Sequence, residues 1–335
     1  MNKFVYIIYS ITFFLLTSCG VGSGRFKFEG RFLHMNQGEF YAYSPDGGFD
    51  GVDTIKVAGG RFSFETACHN PFTIMIVFPN FSQQPVFAES GKSVDIQADA
   101  SHLKELTVKG TKTNELMNAF RREILSDTPP EETKHAEQFI KNHPETTVSL
   151  FLVRKYFISY QQPNYKKAEE LIKLMIKKQP DNVQLQKLQY QVKSLKNTEV
   201  GSLLPAFTAY DMEGKLISSA SLCSSPVTVI STWTTSLYES MDLQRKLQKQ
   251  QKEAKGKLKV IGICVDPSKK KCTDALKRDS ISWPTICNGD MLADKTLQLL
   301  GLTAIPDNIV LQNGNIVARS LKKKELFDKL DQLLK

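Results

Sequence analysis

The chain has 335 residues, of which 41% are hydrophobic and 24% are charged. These values are ordinary for a folded protein and exclude disordered and fibrous classes, while the length predicts two or three structural units. The formal net charge is +9, but the basic excess is mostly Lys scattered through predicted helices, without zinc spacing or an aromatic–basic RNA motif. We therefore expect solvated helix faces and no nucleic-acid partner.

An uncharged, largely apolar run extends from Phe4 to Leu16 at the N-terminus. It is short for a transmembrane helix and has the length of a signal-peptide core. The run ends in Leu16-Thr17-Ser18-Cys19-Gly20, which resembles the lipobox of bacterial lipoproteins. The resemblance implies a signal peptide over residues 1–18 and a covalent lipid, diacylglycerol with palmitate, on the sulfur of Cys19.

The segment of residues 19–24 is rich in glycine and predicts a flexible, lipidated tether. It carries no Asp or Glu, and in the lipoproteins that it resembles this favours the outer membrane, on the side that faces the periplasm. We therefore expect an envelope protein that contacts the membrane through its lipid anchor. We expect no cofactor other than this covalent lipid.

From residue 25 to residue 110, apolar and polar residues alternate, as at Phe26 and Phe28 or at Ile74 and Ile76. A period of two with turn residues between the stretches predicts strands. The spacing predicts a small antiparallel, sandwich-like β domain of about six to eight strands over residues 25–110. Its histidines are isolated from one another in sequence, so we predict no metal site there.

The pattern becomes helical over residues 111–197, where one apolar stripe begins at Ala168 and another at Leu185. From residue 198 to residue 335, strands and helices alternate instead. Buried strands are predicted over residues 227–232 and 259–265, with a helix over residues 241–255 between them. This order predicts an α/β domain with a central mixed sheet.

This C-terminal domain resembles the thioredoxin fold, and specifically the ResA/TlpA and peroxiredoxin-related (AhpC/TSA) proteins. The whole chain resembles a lipoprotein architecture in which a β domain of unknown function precedes a thioredoxin-like domain. Four segments carry the resemblance in the family's order: residues 201–207 with Pro205 and Phe207, residues 229–233 ending in Trp233, residues 260–266, and residues 304–311 around Pro306 followed by the turn Asn313-Gly314.

The family's paired thiols, Trp-x-x-x-Cys-x-x-Cys, are missing. Counting from Trp233, the two cysteine positions hold Leu237 and Ser240. Thiol exchange needs a thiolate and a second thiol that resolves the mixed disulfide, and neither residue can supply them. Ordinary dithiol catalysis at this position is excluded, so we predict no catalytic residues and lean against enzyme activity.

The leading interpretation is therefore a redox-inactive domain that binds a peptide or protein partner. The resemblance implies a groove formed by Trp233, Leu237, Ile305 and Pro306, with the cis-proline loop offering backbone groups to an extended peptide. In this interpretation Leu237 replaces a reactive sulfur by an apolar contact.

Two alternatives remain open. The first is a thiol oxidoreductase or antioxidant protein that uses cysteines at non-standard positions, and the second is a scaffold whose β domain does the binding. The cysteines available to the first are Cys223, Cys264, Cys272 and Cys287, whose pairing the sequence does not determine. Convergence of two of them beside Pro306 would contradict the redox-inactive interpretation.

Overall fold

The computed structural model describes residues 21–159 and 163–335. The predicted signal peptide and the lipid attachment site at Cys19 lie outside these residues. Within the two described ranges, no helix combines the length and the apolar character that crossing a membrane requires.

The first part of the chain forms an eight-stranded sheet, with the strands in the spatial order β6-β5-β2-β3-β4-β1-β7-β8. The strands are β1 (Arg25–Leu33), β2 (Gln37–Tyr43), β3 (Val52–Ala58), β4 (Arg61–Ala67), β5 (Phe72–Val77), β6 (Gln83–Ala88), β7 (Lys92–Asp99) and β8 (Thr107–Lys109).

The pairing in this sheet differs from the predicted antiparallel sandwich in two respects. The eight strands form one continuous sheet, and β1 pairs with β7 in parallel, so that Phe28 lies opposite Val94. Parallel neighbours need a long connection between them, which the five intervening strands supply here. Local alternation reports which residues face the core, but it carries no information about which strands become neighbours.

Strand β5 is buried on both faces, and this explains its uninterrupted apolar sequence. Ile74 and Ile76 point into the core of the β domain, whereas Met75 and Val77 point into a second core built mainly by helices. Successive side chains of a strand face opposite sides, so an apolar residue at every position requires cover on both.

Helix α1 (Lys112–Glu123) connects the two edges of the sheet. Asn114 accepts a hydrogen bond from the backbone N–H of Phe87 on edge strand β6 and donates one to its carbonyl, at 3.0 and 2.8 Å. One turn later, Asn118 makes the same pair of bonds with Val108 on the opposite edge strand β8, at 3.0 and 2.7 Å. The two amides pair with backbone groups as a neighbouring strand would. One helix therefore satisfies backbone groups on both edge strands of the sheet.

Replacing Asn114 by Ala is expected to destabilise the protein by about 2–4 kcal/mol, because a buried N–H and a buried C=O of Phe87 lose their partners. Urea unfolding followed by circular dichroism measures this. Asn142→Ala, at an exposed position of a neighbouring helix, is the matched control and should change stability by less than about 0.5 kcal/mol. Equal effects of the two substitutions would contradict this role of α1.

The middle of the chain is helical, as the periodicity predicts, and it packs against the β5 face of the sheet. Its helices share one apolar core and include the predicted pair of apolar stripes. They are α2 (Pro129–Asn142), α3 (Thr147–Val153), a π-helical turn (Arg154–Ile158), α4 (Tyr165–Lys178) and α5 (Val183–Leu195).

The C-terminal part contains a five-stranded mixed sheet in the order β13-β12-β11-β14-β15, in agreement with a thioredoxin-like α/β unit. Strand β11 lies at its centre, parallel to β12 and antiparallel to β14, and apolar cores cover both faces. A two-stranded hairpin of β9 (Thr208–Tyr210) and β10 (Leu216–Ser218) precedes the sheet. The remaining elements are α6 (Ser219–Cys223), β11 (Val227–Trp233), α7 (Tyr238–Glu253), β12 (Leu258–Cys264), α8 (Lys269–Arg278), β13 (Thr285–Ile286), α9 (Lys295–Leu300), β14 (Asp307–Gln312), β15 (Asn315–Arg319) and α10 (Lys323–Leu334).

Candidate functional site: a buried cluster of three thiols

Three cysteines from three different elements converge in the C-terminal part. The sulfur atoms of Cys264, Cys272 and Cys287 all lie within 4.8 Å of one another. Cys272 is fully buried, and the other two are each 4% exposed. All three are free thiols. We refer to them as the thiol cluster.

Parallel pairing explains why the first and third cysteines meet. Strands β12 and β13 are in register with Ile263 opposite Ile286. Continuing this register by one residue brings Cys264 opposite Cys287, at the carboxyl ends of the two strands. Helix α8 connects the strands, and Cys272 lies on its buried face together with Ala275. The two strands and the helix that connects them therefore contribute one sulfur each to the thiol cluster.

Trp233 encloses the thiol cluster from the central strand. It ends β11, pairs with Cys264 across the sheet and is fully buried. Met241 and Ala275 complete the apolar shell around the cluster. The position of the indole depends on Gly262, where a Cβ atom would lie 2.9 Å from the Trp233 nitrogen. A larger residue at Gly262 would displace the ring.

Asp266 organises the loop beside the thiol cluster. Its carboxylate accepts hydrogen bonds from the Thr234 hydroxyl and from the backbone N–H of Thr235, the latter at 3.0 Å, which ties the loop after β12 to the loop after β11. The Cys264 thiol lies 3.4 Å from the same carboxylate, and the Cys287 thiol lies 3.8 Å from the Asp266 carbonyl. The carboxylate thus finds its hydrogen-bond partners within the protein. Sequence reasoning did not single it out.

The three thiols shift one another's acidity in opposite directions. Hydrogen bonds from Cys264 and Cys272 lower the pKa of Cys287 to about 4, helped by Lys269 and the backbone N–H of Gly289 and opposed by burial. Burial, followed by the bonds to its two neighbours, raises the pKa of Cys264. For Cys272, the bond with Cys264 lowers the pKa, whereas the bond with Cys287 and burial raise it. The two raising effects are together the larger, so the pKa of Cys272 is raised. The contacts within the cluster therefore favour ionisation of Cys287 over ionisation of Cys264 or Cys272.

The β domain reaches the neighbourhood of the thiol cluster. Burial and Glu39 raise the pKa of Tyr41 on β2, and the Asp266 carboxylate adds a smaller contribution in the same direction. Tyr41 also packs against the apolar core that contains Met291, four residues after Cys287. The first and last parts of the chain therefore meet beside the site.

The two positions of the missing CxxC lie where the sequence predicts, at the start of helix α7. Leu237 precedes the first residue of the helix and is half-buried, and Ser240 lies in its first turn and is buried. The Ser240 hydroxyl accepts a hydrogen bond of 2.8 Å from the backbone N–H of Thr234. Ser240 therefore has a structural role in closing the loop between β11 and α7.

The predicted groove is only partly assembled. The Ile305–Pro306 bond is cis, and both residues line a cavity of about 390 Å³ together with Glu239 on helix α7. Trp233 and Leu237 are not among its lining residues. The prediction that Trp233 forms a binding surface is wrong, because its side chain is completely buried against the thiol cluster.

The cysteines converge on the opposite side of β11 from Pro306. Strand β11 pairs with β12, which carries Cys264, on one edge and with β14, which follows Pro306, on the other. Cys223 lies elsewhere, with its thiol 4.0 Å from the Gly314 carbonyl, and Cys68 is buried in the β domain. Of the four cysteines named from the sequence, three meet and Cys223 does not.

The N-terminal and C-terminal parts of the chain are similar to different known proteins. Residues 26–117 match a family described as a domain of unknown function, DUF4369. No curated protein matches the chain. The match agrees with the expectation of a β domain without an assigned activity.

The C-terminal part is similar to solved thioredoxin-like structures. One is the C-terminal domain of a proposed thiol-disulfide oxidoreductase from Bacteroides thetaiotaomicron, with 27% identity over 41% of this chain and 97% of that one, at a TM-score of 0.37. A thiol-disulfide oxidoreductase from Bacteroides fragilis matches with 23% identity over 39% of this chain and 99% of that one, at 0.36. A thioredoxin-like protein from Bacteroides caccae matches with 15% identity over 60% and 77%, at 0.40.

The leading interpretation from the sequence, a redox-inactive domain that binds a partner, is wrong. The sulfurs missing from the start of helix α7 have a counterpart elsewhere, because the fold gathers three free thiols beside the ends of two parallel strands. Leu237 and Ser240, at the start of helix α7, carry no sulfur. The alternative with cysteines at non-standard positions left their pairing open, and the fold brings three of them together from a strand, a helix and the next strand.

Proposed function

We propose that the protein is a thiol oxidoreductase whose redox-active cysteines are Cys287 and one of its two neighbours in the thiol cluster. The observation that carries the proposal is the approach of three free sulfurs to within 4.8 Å of one another. A dithiol enzyme needs a nucleophilic sulfur and a second sulfur within reach to resolve the intermediate. The thiol cluster offers one nucleophile and two candidates for the resolving thiol.

The reaction is a two-electron exchange. Cys287 attacks the substrate as a thiolate, and the neighbouring thiol then attacks Cys287, so that one S–S bond forms while two electrons and the one proton of the neighbouring thiol leave the pair. The substrate takes up these two electrons, this proton and a second proton from solvent: a disulfide becomes two thiols, or a hydroperoxide becomes an alcohol and water. An external dithiol restores the reduced enzyme by the reverse exchange.

The surroundings of Cys287 suit the role of nucleophile. The thiolate is the reactive form of cysteine, and the two S–H donors that lower the pKa of Cys287 stabilise this form. Cys264 and Cys272 have raised pKa values because of burial and of their bonds within the cluster, and they are suited to donate protons. The small exposed fraction of Cys287, 4%, favours hydroperoxides and small disulfides over the disulfides of folded proteins.

A location in the cell envelope fits this chemistry, because disulfides form and persist in oxidising compartments. The lipid anchor on Cys19 would hold the enzyme at the membrane. That anchor lies outside the described residues and stays a prediction.

The test is to count free thiols in the full-length protein before and after one equivalent of a small hydroperoxide. We expect the loss of two thiols per chain and a disulfide that contains Cys287, mapped by mass spectrometry. Cys287→Ser should abolish this loss together with catalytic turnover of the peroxide or of a small disulfide. Cys264→Ser and Cys272→Ser, made separately, should identify the resolving thiol, because only one of them prevents disulfide formation.

The matched controls are Cys223→Ser and Cys68→Ser, which remove thiols that lie outside the cluster. Both should retain the full reaction. Unchanged turnover in Cys287→Ser, or a wild-type protein that keeps all its free thiols after oxidation, would refute the proposal.

A further inference from the structure

We propose that the reduced thiol cluster, Cys264, Cys272 and Cys287, binds one Cu(I) ion. This inference goes beyond the proposed function, because metal binding needs three reduced sulfurs and no turnover. It gives the third cysteine a role that a dithiol reaction leaves unexplained.

The spacing of the sulfurs suits a metal ion. Because the three atoms lie within 4.8 Å of one another, a point between them lies within about 2.8 Å of each. Metal–thiolate bonds are about 2.3 Å long, so small rotations of the three side chains complete the coordination. The sulfurs come from β12, α8 and the end of β13, which fixes them from three directions.

The donor set selects the kind of metal. Thiolates are soft ligands and favour Cu(I) and Zn(II) over Mg²⁺ or Ca²⁺, which prefer oxygen. Structural zinc sites are almost always tetrahedral and need a fourth ligand. Within the described residues, the group of candidate ligands contains these three cysteines and no fourth member. The nearest carboxylate, Asp266, already accepts bonds from Thr234 and Thr235. A site with three sulfurs therefore fits Cu(I) better than Zn(II).

The surroundings protect such an ion. Trp233, Met241 and Ala275 form an apolar wall, and none of the three cysteines is more than 4% exposed. A shell of this kind excludes water and controls access to a metal. Lys269, close enough to Cys287 to favour its thiolate, offsets part of the negative charge of the site.

Binding is balanced in protons and charge. Three Cu–S bonds form, and each thiol proton that is still bound in the metal-free cluster leaves to solvent. No electron is transferred. Because these protons are released, affinity should rise with pH.

The experiment is a titration of the reduced, full-length protein with Cu(I) under anaerobic conditions, against a chromogenic Cu(I) chelator. We expect one Cu(I) per chain, a thiolate-to-copper absorption band and quenching of tryptophan fluorescence, because Trp233 packs against the sulfurs. Cys272→Ser should abolish stoichiometric binding. Cys223→Ser, which removes a thiol outside the cluster, should bind as the wild type does. A parallel titration with Zn(II) should show weaker binding.

The outcomes separate this inference from the proposed function. Failure to bind Cu(I) by a protein that still forms the Cys287 disulfide would overturn the copper site alone. Tighter binding of Zn(II) than of Cu(I), or equal binding by Cys272→Ser and wild type, would also overturn it. Stoichiometric Cu(I) binding by a protein that forms no disulfide would support the copper site while refuting the oxidoreductase.

Discussion

In the reduced, metal-free protein, the thiolate of Cys287 is expected to persist as the pH falls until about pH 4, whereas an ordinary cysteine loses its thiolate below about pH 8.5. Hydrogen bonds from Cys264 and Cys272 stabilise the Cys287 thiolate and thereby lower its pKa. At pH 6 the folded protein therefore carries a negative charge on Cys287 that the unfolded chain lacks. Ultraviolet absorbance of the thiolate, followed during an acid titration, measures the step.

The difference between wild type and Cys287→Ser isolates this absorbance, and circular dichroism at each pH confirms that the fold is intact. Cys264→Ala removes a hydrogen-bond donor and should move the step to higher pH. Cys223→Ser should leave it unchanged. A wild-type step near the ordinary cysteine value, or no change in Cys264→Ala, would show that the cluster does not stabilise a thiolate.

Replacing Arg319 by Met is expected to destabilise the folded protein by about 3–4 kcal/mol, because the guanidinium serves four backbone and side-chain acceptors. It donates to the carbonyl and hydroxyl of Thr198 at 2.6 and 2.7 Å. It also donates to the carbonyls of Leu300 and Gly301 at 3.0 and 2.8 Å, at the carboxyl end of helix α9. One side chain on β15 thus ties the end of the helical segment to the thioredoxin-like part.

Urea unfolding monitored by tryptophan fluorescence tests this prediction. Arg319→Lys keeps the positive charge but cannot present two parallel pairs of donors, so it should recover less than half of the loss. The matched control is Arg278→Met, since the Arg278 side chain is 63% exposed and pairs with its neighbour Asp279. That change should cost less than about 0.5 kcal/mol. A small effect of Arg319→Met would mean that the two parts are held together mainly by apolar packing.

The position of the thiol cluster connects fold and chemistry. In the CxxC proteins that the sequence resembles, helix α7 would carry both sulfurs, but here Leu237 and Ser240 occupy those places. The cluster lies beside the same central strand, since Trp233 of β11 contacts it. The ends of parallel strands are favoured places for functional groups in open α/β sheets. The proposed redox site therefore lies at the ends of β12 and β13, next to β11 in the same sheet.

Periodicity in the sequence predicted the strands and helices well in both folded parts. The strand expected at residues 227–232 is observed as Val227–Trp233, and the hairpin turn at Asn313-Gly314 joins β14 to β15. These features depend on side chains a few residues apart, which a local pattern records. The absence of a CxxC and the nature of Leu237 and Ser240 were likewise evident from the sequence alone.

The tertiary structure decided the features that depend on distant residues. Cys264 and Cys287 meet only because β12 and β13 pair in parallel, and the two-residue strand β13 is too short to leave a periodic signal. Asn114 and Asn118 reach opposite edges of one sheet only because that sheet brings β6 and β8 to a single helix. Strand pairing across long connections is set by the packing of the whole chain, and no local pattern encodes it.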